Sequence, residues 1–140
     1  VRNERFPTKE EVLSACRGVG YAGHPVLRAA HALTGLHERR LTGGRDDHID
    51  GRSAGLIREI DRWVRGQLPP SRGPAAPHTE TIGAVIDRIA AYTAVAYAAL
   101  VRGSDHELDD VRRLLAETAV GYEDLADDLV AGRRRLPGGW

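Results

Sequence analysis

The chain has 140 residues, 41% of them apolar, and its twenty basic and twenty acidic side chains cancel. That is enough for one packed core without disulfides or a structural metal, and it leaves no charge excess to bind nucleic acid or an anionic membrane. The single cysteine, Cys16, excludes an internal disulfide and a cysteine-only metal centre; the ordinary role of such a residue is a small buried apolar one.

The opening VRNERFPTKEE is charged and lacks the apolar core of a signal peptide, so a cytoplasmic location is expected. Lys9 is the only lysine among the basic residues, a skew that fits GC-rich coding in a bacterium. Thr8-Lys9-Glu10-Glu11 is a capping box, which starts a short helix over residues 9–17. Gly18-Val19-Gly20-Tyr21-Ala22-Gly23 spells the dinucleotide-binding G-x-G-x-x-G. That motif needs a preceding strand and here follows a helix, so it reads as a helix stop and turn.

Pro25 suits the first turn of a second helix reaching Leu41. At 100° per residue Val26, Ala30, Leu33, His37 and Leu41 share its inner face, while His24, His31 and Glu38 recur at heptad spacing on the flank. Asp46 or Asp47 caps a third helix with Ile49, Ser53, Leu56, Ile57, Ile60, Trp63 and Val64 in one stripe. The formal G-x-S-x-G at residues 51–55 lies inside this helix rather than on a strand-to-helix turn. The match is read as chance rather than as a hydrolase nucleophile, and Ser53 is expected to bond its own helix backbone.

Residues 67–77 hold four of the seven prolines and form a crossover loop. After it, residues 78–101 make a helix apolar nearly all round. Ile82, Ile86, Ile89, Thr93, Ala96, Tyr97 and Leu100 line one face, and Gly83, Ala90, Ala91, Ala94 and Ala98 a second. Such a helix is either central or covered by a second chain. A transmembrane role is disfavoured by the adjacent Asp87 and Arg88 and by the weak insertion energy of alanine. Ser104-Asp105-His106-Glu107 is a second capping box. The helix it starts runs to about Arg133 with Leu108, Val111, Leu115, Thr118, Tyr122, Leu125 and Leu129 inward, and Arg133, Arg134 and Arg135 complement its dipole. Residues 1–8 and 136–140 are read as tails, and Trp140 has no assigned partner.

The fold expected is all-α: one domain over residues 1–140, four long and mostly antiparallel helices with a short N-terminal one. Chemistry centres on Glu80 and Asp87, seven residues apart on the stripe that continues into Ala94 and Ala98. A carboxylate removed from water there must be paired or must raise its pKa. Two readings stand: Asp87 is held by an arginine, or it is a general acid or base facing a histidine of the second helix. No Glu-x-x-His motif is present, so a di-iron centre is not expected; a single Zn²⁺ or Fe²⁺ on scattered ligands stays open, and no metal or cofactor is assigned.

Several strings resemble the actinobacterial branch of an uncharacterised bacterial family, the domain of unknown function DUF 4254. They are His24-Pro25, Leu36-His37-Glu38-Arg39-Arg40-Leu41, Ile60-Asp61-Arg62-Trp63-Val64, His78-Thr79-Glu80-Thr81-Ile82-Gly83 with Asp87-Arg88, and Tyr122-Glu123-Asp124-Leu125. The most specific is Glu80-Thr81-x-Gly83-x-x-x-Asp87-Arg88. The likeness covers nearly everything after Gly23, implies a helical domain and singles out Glu80, Asp87 and Arg88; it implies no activity. The family's third helix is richer in Asn and Gln, where this chain has Arg52-Ser53-Ala54-Gly55.

Two functional expectations follow. In the first, a small molecule binds between the His24, His31 and Glu38 flank and Glu80, Asp87 and Arg88, with Tyr97 nearby. Asp87 or His37 would act as base, Arg88 would orient an anionic substrate and Glu80 would hold a histidine tautomer, in a biosynthetic role. In the second, the bundle is noncatalytic and its alanine face binds a second copy or another partner, with Asp87 in a specificity ion pair.

Overall fold

The computed structural model describes residues 5–44, 46–68 and 76–137. The elements are α1 (Lys9–Cys16), α2 (Pro25–Gly43), α3 (Asp47–Gln67), β1 (Ala76–Pro77), α4 (Ile82–Arg102), α5 (Asp105–Val130) and β2 (Arg134–Arg135). This is an all-α bundle in which α4 touches each of the other four helices.

Local chemistry sets most helix ends. The Thr8 hydroxyl accepts from the Glu11 amide at 3.1 Å and the Glu11 carboxylate accepts from the Thr8 amide at 2.8 Å. Arg5 adds two bonds of 2.9 Å to the same carboxylate. Together, Arg5 foremost, these hold the Glu11 carboxyl down at about 2. Asp46 caps α3 through the His48 amide at 2.9 Å, and Thr81 caps α4 through Ala84 at 3.1 Å. Gly18 (φ 87°) and Gly20 (φ 69°) turn the chain after α1, as a helix stop requires. The second capping box does not form: Ser104 makes no side-chain cap, and Glu107 is engaged by Arg102 instead. A charge-assisted bond to guanidinium outcompetes one to a backbone amide.

Val12, Val26, Leu33, Ile60, Val64, Ile82, Ile86, Ile89 and Tyr122 are fully buried, so all five helices feed one core. The Tyr122 hydroxyl donates to the Pro7 carbonyl at 2.7 Å, tying α5 to the segment before α1, and burial pushes this phenol's pKa up. α2 and α3 run antiparallel, since Arg40 meets Asp50 and Ser53 while His24 meets Trp63. Leu41, expected inward, is 53% exposed, because the last turns of α2 outrun the core.

Three expectations near the C-terminus change. α5 stops at Val130, where Gly132 adopts φ 76° and the Arg133 amide bonds back to Asp128 O at 2.8 Å. Arg134 and Arg135 then pair in parallel with Ala76 and Pro77, while the Arg133 and Arg134 side chains reach the Asp128 carboxylate. Leu136, read as tail, is 3% exposed and part of the core. Trp140 and residues 69–75 of the crossover lie outside the described residues.

α4 departs most from its sequence reading. Both faces of its N-terminal half are covered by the chain itself: Ile82, Ile86 and Ile89 are buried, and so are Gly83, Ala90 and Ala94. The alanine face expected to meet a second chain is therefore closed at Ala90 and Ala94. Beyond Ala94 the isoleucine side of the helix loses its cover. Tyr97, Leu100 and Val101 are 60%, 57% and 68% exposed. A separate small cluster there, Ala99, Leu108 and Val111 with Tyr92, Val95 and Ala96, draws only on α4 and α5. By length and composition α4 is apolar enough to cross a membrane, with a third of it buried in the fold.

Candidate functional site

The heptad logic that joined Glu80 to Asp87 fails at the helix start. Thr81 is the cap of α4, so Glu80 precedes the helix and does not share its stripe. It pairs with Arg88, on the exposed side of the first turns, and this pair is more than one third open to water. Arg88 is thus occupied by Glu80 rather than turned toward Asp87.

Asp87 finds a histidine. His37 Nε2 lies 2.8 Å from Asp87 Oδ1, with side-chain exposures of 13% and 28%. Arg40, one turn further along α2, places Nη1 3.1 Å from His37 Nδ1. A guanidinium only donates, so Nδ1 accepts and the ring hydrogen of a neutral His37 sits on Nε2, donated to Asp87. Arg40 Nη2 continues to Asp50 Oδ1 at 2.7 Å and to Ser53 Oγ at 3.4 Å. Ser53, expected to bond its own backbone, instead accepts from α2. It is buried facing that helix, where the guanidinium offers the better donor.

The result is a chain of polar contacts, Asp87–His37–Arg40–Asp50, that pins α4, α2 and α3 together. Both nitrogens of His37 are committed within it. For the ring to accept a substrate proton at Nδ1, Arg40 must first withdraw.

The other expected site residues are dispersed. His24 caps α2, its Nδ1 accepting from the Val26 amide at 3.0 Å, and its ring meets the edge of Trp63 at 4.7 Å. His31 stacks flat on Tyr21, centroids 3.8 Å apart. Glu38 is exposed on α2 beside a groove it shares with His31, and Tyr97 is exposed on α4. Among the described residues, three grooves of about 440 to 460 Å³ have walls that do not include Glu80, Asp87 or Arg88. None of these three grooves joins the two sets of residues.

Two polar features escaped the sequence reading. Arg40 stands three residues after His37, a spacing that puts both on one helix face and could have flagged it. Asp61, embedded in the apolar stripe of α3 beside Ile60 and Val64, is 8% exposed. It accepts from the Gly83 amide at 2.7 Å, at the N-terminal end of α4 where a negative charge is favoured. Gly83 is required there because a Cβ would stand 2.6 Å from the Ile57 carbonyl oxygen. The Gly83 of the Glu80-Thr81-x-Gly83 string thus marks a helix contact.

Cys16 is buried, its thiol pKa raised by that burial, with Sγ 3.9 Å from the Ala30 carbonyl. A thiol so placed is inert. Among the described residues no three His, Cys, Asp or Glu side chains converge as a metal-binding group. No family profile, curated protein or solved structure matches this chain.

Proposed function

We propose that this chain is a noncatalytic bundle that self-associates through the C-terminal turns of α4. The observation that carries the reading is the exposure of Tyr97, Leu100 and Val101. Leu100 and, at its edge, Tyr97 continue the angular sector that Ile82, Ile86 and Ile89 bury one helix half earlier, and Val101 continues that of Ala90 and Ala94, so both covered sides of α4 run on into water. Exposed apolar side chains grouped in this way mark interaction surfaces.

A second copy of this chain fits the surface. The α4–α5 hairpin has a one-sided cluster, and two hairpins related by a twofold axis complete a four-helix arrangement. Arg102, which follows Val101 in the chain, is held by Glu107, and this pair offsets its charge at the end of the stripe. The three side chains alone expose roughly 300–400 Å². That is nearly half of the about 800 Å² per partner typical of a stable dimer, with the remainder available from the hairpin rim. The closed His37 contacts and the Glu80–Arg88 pair support a structural rather than a catalytic use of those residues.

Sedimentation velocity over a concentration series tests the reading. The expected result is a dimer for the unaltered chain and a folded monomer for Val101→Glu and Tyr97→Glu, with unchanged helix content. A monomer at every concentration, or dimers that persist in both variants, overturns it.

A further inference from the structure

A cleft of about 440 Å³ opens between the turn after α1, the middle of α2 and α3. Three guanidiniums from three elements border it, Arg17, Arg39 and Arg52, and all three residues are exposed. Arg17 touches only the Ser14 hydroxyl, at 3.4 Å, and neither Arg39 nor Arg52 has a side-chain partner among the described residues. Elsewhere in the molecule Arg5, Arg40, Arg88 and Arg102 each hold a carboxylate. Glu38 is the one acidic residue lining the cleft, which leaves it two formal positive charges in excess.

His31 supplies an independent observation. Its Nδ1 is buried and has no hydrogen-bond partner, while its ring is held flat against Tyr21. Buried polar atoms are normally satisfied, and this one, behind the cleft wall that the His31 ring forms, has room for an ordered water as its partner only if the ring shifts. Gly35 also lines the cleft, and a side chain added there would project into open space.

We infer that this cleft binds a small polyanion, its oxyanion groups held by the forks of Arg17, Arg39 and Arg52 and a hydrogen-bond donor of the ligand turned to Glu38. Guanidinium is the side chain best matched to phosphate and carboxylate oxygens, and a concave site with one sign of charge concentrates the opposite sign. Cys16 lies in the wall as a packed thiol and takes no part. The site is remote in sequence from the surface proposed for self-association and stands or falls separately.

Calorimetric titration of the full chain with pyrophosphate, and separately with citrate, at matched ionic strength tests this. One saturable site is expected, and the tighter of the two anions identifies phosphate or carboxylate as the natural group. Arg39→Gln and Arg52→Gln should each weaken binding at least tenfold, and Gly35→Leu, which fills the cleft, should abolish it while the thermal midpoint stays at or above that of the unaltered chain. Absence of saturable heat with both anions overturns the inference, as does binding that survives unchanged in both arginine variants. Those variants decide the matter if Gly35→Leu fails to fold.

Discussion

Replacing Gly83 by alanine should destabilise the protein although alanine is the better helix former. The intrinsic gain at a helix position is at most about 1 kcal/mol. Against it, the new Cβ would stand 2.6 Å from the Ile57 carbonyl oxygen and 2.7 Å from Asp61 Oδ1, separations that real side chains do not tolerate. Relief requires α3 and α4 to move apart, which breaks the 2.7 Å bond from the Gly83 amide to a carboxylate that is 8% exposed. Losing a buried charge-assisted bond and leaving the carboxylate without its donor costs roughly 3–5 kcal/mol. The net expectation is a loss of about 2–4 kcal/mol, or roughly 5–15 °C in thermal midpoint for a chain of this size. Urea and thermal denaturation followed by circular dichroism measure it. Asp61→Asn, which keeps an acceptor but removes the charge, should lie between the unaltered chain and Gly83→Ala. A Gly83→Ala protein as stable as the parent would show that the α3–α4 contact is looser than described, and would refute the reasoning.

Two further outcomes follow from the packing and the caps. Tyr122→Phe removes the hydroxyl that satisfies the Pro7 carbonyl, and should cost about 1–2 kcal/mol with no change in helix content, read from urea midpoints. Glu11 has a carboxyl lowered from 4.5 to about 2, first by Arg5 and then by the Thr8 amide. Its contribution to stability is therefore complete above pH 4.5 and is lost as pH falls toward 2. The Arg5–Glu11 pair is largely open to water, so the effect is small and weakens with salt. Denaturation midpoints between pH 5 and 2 should fall less steeply in Glu11→Gln than in the parent, and parallel slopes would contradict the assignment.

How much of the candidate site was legible can be judged from particular residues. That Asp87 would need a partner followed from a carboxylate set among alanines, and a histidine of the second helix was among the partners expected. The expectation that Glu80 belonged with it failed because a seven-residue spacing has meaning only inside a helix, and Thr81 starts this one. His31 and Glu38, placed on the flank of α2 by their heptad spacing, line one groove, whereas His24, the third member of that series, caps α2 and is not in its lining. The groove's arginines were not foreshadowed, because Arg17, Arg39 and Arg52 come from three different elements.

By itself the sequence determined the all-α class, the order of the helices, the caps at Thr8 and Asp46 and most of the buried stripes. These rest on contacts within a few residues, where periodicity and side-chain chemistry act directly. Only the tertiary structure decided that His37 would meet Asp87 across fifty residues, that Asp61 would cap the start of α4, that Leu136 would return to the core and that Tyr97, Leu100 and Val101 would be left in water. Periodicity tells which way a side chain points along its own helix. How far neighbouring helices accompany that helix, and so where its apolar face runs out of cover, depends on how the helices pack together.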